Sequence, residues 1–266
     1  MNEQDEFYIG WQSRAPVQLS AHVRKTVVAL LVLVLCLACI LPWAQRTIGV
    51  AVFEWGTVKT FTGVLQTKPY PHLLIHRPAR HGGESAYYLV APFKFGLDLQ
   101  AVAGLDGKPV TLKGTLIYRG EQTMIEARPD TIKPAPAQSG GFVRNETAAA
   151  IESQNSKFKN PQSPVTLVGE IVDSKCYLGV MNPGRLTPHR GCAVRCISGG
   201  IPPLLLVRRE NGPPLYFLLV SRDGRPVNKQ VLDMVAEPVE ITGKLVKQGE
   251  LSILRADPAT YRRVGK

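Results

Sequence analysis

Hydrophobic residues in this chain follow two patterns. From Val27 to Ala44 the sequence VVALLVLVLCLACILPWA runs eighteen residues without a charge, about the minimum that crosses a ~30 Å hydrocarbon layer as a helix. Beyond residue 46, apolar positions instead alternate with polar ones over short stretches, which is the period of half-buried strands. PVTLKGTLIY and EQTMIEA, split by Arg119-Gly120, read as a β-hairpin, and LVKQGELSIL repeats the pattern further on. Short helical stretches are predicted around LDLQAVAGL and VNKQVLDMVA.

The second pattern occurs twice. Residues 107–133 and 236–262 align without a gap at an offset of 129 and share nine identities, among them Pro109/Pro238, Gly114/Gly243, Gly120/Gly249 and Pro129/Pro258. Self-similarity of that length means one fold used twice. At the same offset Tyr87-Tyr88-Leu89 matches Tyr216-Phe217-Leu218; upstream, PHLLIHR corresponds to PPLLLVRR and FTGVL to LVGEI. Five strands with a helix between the third and fourth is the order of an OB-type barrel, a sheet that closes on itself. The predicted fold is therefore mainly β: an N-terminal transmembrane helix at 27–44 followed by two tandem OB-like five-stranded barrels, at 46–133 and 165–263. Residues 134–164, rich in Pro, Ser, Gln and Asn, read as a linker.

The copies differ at one place. First strands align at an offset of 106 and second strands at about 131, so the second copy has gained roughly 25 residues, an insertion at about 172–200. Because the first copy closes without it, a site is its natural explanation. Thr187 as N-cap, Pro188 at the first helical position and Ser198-Gly199-Gly200 as a stop predict a helix over 188–197. On that helix His189, Cys192 and Cys196 would share one stripe, with Cys176 arriving from the end of the preceding strand.

Three chemistries fit these residues. Cys176, His189, Cys192 and Cys196 would together ligate copper, zinc or an iron–sulfur centre, and the Cys-x3-Cys spacing beside a histidine favours copper in an exported setting. Asp173 would then accept the second N–H of His189 or serve as a turn residue. Alternatively, two cysteines form a disulfide and the third is a thiol for redox exchange, Cys192 lying near a helix N-terminus. In the third case Cys176 is bridged to Cys192 or Cys196 and the insertion is a stapled, non-catalytic docking module. His72 and His76, four apart on a predicted strand, form a weaker second candidate, more often met as solvated strand positions.

Location bears on the choice. Trp43 ends the apolar run where an interfacial aromatic is expected. A cleaved signal is the competing reading, but the charged region ahead is long and no small-x-small site follows. Cys36 and Cys39 lack a lipoprotein processing context and read as small hydrophobes of the span. Arg14, Arg24 and Lys25 precede the span, and only Arg46 and Lys59 soon follow it. The positive-inside rule thus puts residues 1–26 in the cytoplasm and the barrels outside, in the periplasm if the cell is bacterial and the bilayer its inner membrane. Disulfides are permitted there. The net charge of +11 is scattered rather than clustered, which suits anionic headgroups or an acidic partner better than nucleic acid. No Ser-His-Asp series, phosphate-binding glycine loop or carboxylate pair is present, so neither a nucleotide cofactor nor a catalytic residue is expected.

The motif Asp-x-x-Cys-Tyr, His-x-x-Cys-Ala-x-x-x-Cys and Gly-Gly-Ile-Pro, over about residues 165–220, resembles one seen in exported bacterial proteins of unassigned function. That resemblance supports an exported bacterial protein and implies no activity. One anchor with a small extracytoplasmic β-barrel is also similar to the haem chaperone of cytochrome-c maturation, whose His-x-x-x-Tyr motif is absent here. Without Cys-x-x-Cys-His or Cys-x-x-Cys, covalent haem and a thioredoxin-like oxidoreductase are both disfavoured. The expected role is non-catalytic: holding or delivering a metal or redox centre beside a membrane oxidoreductase.

Overall fold

The computed structural model describes residues 15–45, 51–77, 83–120, 122–136, 163–209, 212–248 and 251–265. The apolar run lies in helix α1, Val17–Gln45, which starts ten residues before the predicted span. At ~1.5 Å per residue its length and apolar composition suffice to cross a membrane. It belongs to one compact unit, Met1–Gly49, and the rest of the chain to another, Val50–Lys266.

The second unit holds two closed five-stranded barrels. In the first, β2 (Lys59–Gln66), β3 (His72–Arg77), β4 (Gly83–Val90), β5 (Pro109–Arg119) and β6 (Gln122–Ala127) close in the order β5-β2-β3-β4-β6-β5. Short strands β1 (Ala51–Phe53) and β7 (Lys133–Pro134) pair with the outer parts of β5. The second barrel repeats this with β8 (Val165–Asp173), β9 (Pro203–Val207), β10 (Leu215–Val220), β11 (Pro238–Gln248) and β12 (Leu251–Arg255), and β13 (Arg262–Arg263) adds to β11. Each barrel closes through one parallel pairing, Tyr88 beside Met124 and Leu218 beside Ile253. The predicted tandem OB-like barrels are thus observed.

Strand register refines the repeat. Gly63 faces Val110 as Gly169 faces Val239, which upholds the alignment of first and fourth strands. Leu73 faces Tyr87, however, as Leu205 faces Phe217. Leu73 therefore corresponds to Leu205 rather than Leu204, and Tyr87 to Phe217 rather than Tyr216. The loops between these strands differ in length, and a one-residue slip exchanges the two faces of a strand. The expected helices between third and fourth strands shrink to single 3₁₀ turns, Gln100–Val102 and Leu232–Met234. Gly107 (φ 71°) and Ala236 (φ 60°) then turn the chain into the fourth strand in left-handed geometry. They donate equivalent N–H bonds, to Leu65 O (2.8 Å) and Ile171 O (2.9 Å).

Inward-facing residues fill each barrel: Leu65, Leu73, Leu89, Val110 and Leu112 in the first, Ile171, Leu205, Leu219, Val239 and Ile241 in the second. Some of the alternate residues, on β4, β6, β10 and β12, do not face water either. Tyr88, Val90 and Met124 of the first barrel form one buried cluster with Leu218, Val220 and Ile253 of the second. These are the matching positions of the corrected register, so equivalent faces pack on each other. Tyr70 strengthens the junction, its hydroxyl accepting the Val227 N–H at 3.1 Å.

The insertion completes this junction. Val172, Cys176, Tyr177, Leu178, Cys196 and Ile201 all belong to the shared cluster. Its turn passes so close to the first barrel that a Cβ on Gly179 would lie 2.3 Å from Val52 O and 2.6 Å from Ile117 Cγ2. The insertion, whose natural explanation from the sequence is a site, also has a structural duty: one barrel closes without it, but the packed pair uses it as filling. Gly179→Ala is accordingly expected to destabilise the protein by about 1–3 kcal/mol in urea unfolding. Gly191→Ala, in a helix with nothing near the added Cβ, should be neutral or stabilising by up to about 1 kcal/mol.

Candidate metal centre

The sulfurs converge from two short elements of the insertion. After β8 the chain makes a π-helical turn, Cys176–Val180, closed by Met181 N–H to Cys176 O at 2.9 Å. Such turns are rare and concentrate at functional sites. Asp173 anchors its start, Oδ1 accepting the Cys176 N–H at 2.7 Å. Helix α2 (Arg190–Ser198) brings Cys192 and Cys196 on one face, four residues apart. It ends as the glycines predicted. Gly200 is left-handed (φ 99°), and the N–H groups of Gly200 and Ile201 return to Ile197 O and Cys196 O, both at 3.0 Å. This Schellman arrangement places Ile201 in the same buried cluster as Cys196.

Cys176 Sγ lies 3.9 Å from both Cys192 Sγ and Cys196 Sγ, and the three sulfurs are within 4.8 Å of one another. No pair is at bonding distance, so the stapling disulfide is not formed among the described residues. Cys176 and Cys196 are buried and Cys192 is half-buried. The contact with Cys196, followed by burial, pushes the Cys176 thiol far above the ordinary range. The same contact, with Lys94 nearby, draws the Cys196 thiol down.

His189 lies just ahead of α2. Residues 187–189 form a 3₁₀ turn ahead of α2, with Leu186 rather than Thr187 at its start and in left-handed geometry (φ 67°). His189 is buried against Asp173, Nε2 donating to Oδ2 at 3.0 Å. It forms a second group of possible ligands with Asp173 and Cys176, also within 4.8 Å. Cys176 is common to both groups. The expected contact between Asp173 and His189 is present. The flanking arginines have other duties: Arg190 pairs with Glu237 and bonds Asp233 O, and Arg195 is exposed.

Two lysines that sequence reasoning missed complete the site from across the junction. Lys94, on the first barrel's loop after β4, places Nζ 2.8 Å from Cys192 Sγ, and this bond raises its pKa above the usual lysine value. Lys175, only 3% exposed, reaches the other way: its Nζ lies 2.5 Å from Glu126 Oε2 and donates to Ala91 O (2.9 Å) and Phe93 O (2.7 Å). This buried ammonium grips the loop carrying Lys94. The loop end also touches α2 backbone to backbone, Gly96 N–H bonding Gly199 O at 2.9 Å. Lys175 was legible only as part of Asp-Ser-Lys-Cys, and Lys94 carried no local signal.

The weaker histidine candidate resolves differently. His72 is fully buried rather than solvated, on the junction side of β3, Nδ1 donating to Tyr70 O at 2.8 Å while Nε2 has no partner. Its counterpart in the second barrel's register is Leu204. The side chain of His76 lies outside the described residues, as does His81.

No family model and no curated protein matches the chain. Among solved structures, the single-stranded DNA binding protein from Thermus aquaticus and a deletion mutant of it are similar at 12% identity and a TM-score of 0.21. They cover 82% of this chain, and the alignments span 88% and 90% of theirs.

Burial lowers the His72 pKa below its ordinary value, against weaker opposing effects of the Tyr70 carbonyl and Asp106. Its contribution to stability is therefore complete above the unfolded value of about 6.5 and is lost as pH falls through that value toward the folded one. His72→Leu, the residue the second barrel uses, should flatten the decline in unfolding free energy between about pH 7 and about pH 5.

Proposed function

We propose that this is a single-pass protein of the bacterial inner membrane, with α1 as anchor and both barrels in the periplasm. There the second barrel's insertion holds a soft metal centre, copper, zinc or iron–sulfur, for a membrane oxidoreductase. Its role is that of an accessory, assembly or electron-transfer partner rather than an enzyme. The observation that carries this reading is the convergence of three cysteine sulfurs, two of them buried and one reached by solvent, in a group that can hold an ion. Thiolates at such separations repel one another unless protons or a cation intervene, and a soft cation takes that place readily. The half-buried Cys192 supplies the route by which an ion arrives or leaves.

The reading is tested on full-length protein purified in detergent without oxygen. Elemental analysis should find roughly one equivalent of a soft metal ion, with the barrel thiols protected from alkylation until a chelator removes it. Cys176→Ser should weaken binding by about 100-fold or more while the circular-dichroism spectrum is kept. A disulfide among the three barrel cysteines with no metal would overturn the metal reading in favour of the stapled docking module. A Cys192→Ser form that traps a mixed disulfide would favour thiol exchange.

A further inference from the structure

The identity of the ion can be narrowed from the surroundings of the sulfurs, an inference that rests on the metal-holding reading above. An ion bonded at ~2.3 Å to three sulfurs in one plane sets them ~4.0 Å apart, whereas a tetrahedral ion sets them ~3.8 Å apart and requires a fourth donor. The observed 3.9 Å separations admit both shapes. The fourth donor decides.

Asp173 and one ring nitrogen of His189 are engaged with each other. Asp173 uses Oδ1 for the Cys176 N–H and Oδ2 for His189 Nε2, at 2.7 and 3.0 Å. His189 groups with Asp173 and Cys176, not with the three sulfurs. The aliphatic members of the shared cluster, among them Val172, Leu178, Ile201 and Leu204, offer no donor side chains. What does meet a sulfur is a cation, Lys94 Nζ at 2.8 Å from Cys192 Sγ. A charged ammonium donates to a thiolate and ligates no metal.

We propose that Cys176, Cys192 and Cys196 form a three-coordinate, all-sulfur site for a monovalent copper ion, with Lys94 of the first barrel as its counter-charge. Soft thiolates select cuprous copper without demanding a fourth ligand, structural zinc takes four, and an iron–sulfur cluster distributes its cysteines over different irons. Three thiolates around one monovalent cation leave two negative charges in a half-buried place, a costly arrangement without a partner. Lys94 offsets one of them. Among the described residues it is the only cation hydrogen-bonded to these sulfurs. It is held there by backbone contact, since a Cβ on Gly199 would lie 2.2 Å from Lys94 O. Lys94 is thus a positioning and charge-balancing residue, and the site is whole only when the two barrels are packed.

The test titrates full-length reduced protein with cuprous ion against a chromophoric cuprous chelator, and with zinc against a zinc chelator, and reads the bound metal by X-ray absorption. The expected result is one copper with three sulfur neighbours and no nitrogen or oxygen. His189→Gln should leave that shell and the cuprous affinity unchanged. Lys94→Gln should weaken cuprous binding about fivefold with the sulfur shell intact, and Lys94→Arg should restore most of it. A shell containing a nitrogen or oxygen donor, or a His189→Gln variant that loses copper, overturns the three-sulfur assignment but leaves the metal reading standing. An unchanged affinity in Lys94→Gln removes the counter-charge. If neither ion protects the thiols from alkylation, both readings fall together.

Discussion

A strand that alternates apolar residues on both of its faces has two surfaces to hide, and closing a barrel hides only one. In this chain the inward faces fill the two barrels with Leu65, Leu73 and Val110 on one side of the junction and Ile171, Leu205 and Val239 on the other. The outward faces, with Tyr88 and Met124 in one barrel and Leu218 and Ile253 in the other, are buried against each other. Burial of apolar area is the dominant favourable term in folding. The packed pair, rather than the single barrel, is therefore the stable object. Everything at the cysteine site follows from where that packing brings the insertion.

Packing also explains the polar groups at the junction. A lysine that is nearly inaccessible to water persists only when its charge and its donors are met. Lys175 meets both requirements with Glu126 and the carbonyls of Ala91 and Phe93, all from the other barrel. These carbonyls lie just before Lys94 in the chain. One buried ammonium thus fixes the loop that delivers a second, exposed one to Cys192. The imidazole of His189 and the carboxylate of Asp173 settle the start of the insertion in the same way, with Asp173 bonding both the ring and the first residue of the π-turn.

Much of this was legible in the chain. The period of two along residues 107–133 and 236–262 disclosed the repeated hairpin, because strands buried on one side keep that period whatever their neighbours. Ser198-Gly199-Gly200 marked the end of α2 because a left-handed C-terminal cap has few other spellings. The residues nearest the sulfurs were read correctly for Cys176, Cys192 and Cys196, which the fold does bring together. His189 lies just ahead of α2, in a segment that winds as 3₁₀, where α-helical spacing does not predict which way a side chain points. Strand three slipped by one position because loop length, which sets register, has no periodic signal. Lys94 stands 98 residues from the cysteine it bonds, and no local pattern encodes a contact made only by the docking of two barrels.

The likeness of the two docked faces has an evolutionary corollary. Were the barrels separate identical copies, any segment added after the first strand would appear on both sides of the joint and compete for the same space beside β1 and β5. Covalent linkage removes that restriction. One half is then free to grow a bulky, sulfur-bearing excursion while the other stays trimmed to receive it, so that duplication supplied the asymmetry a solitary centre requires.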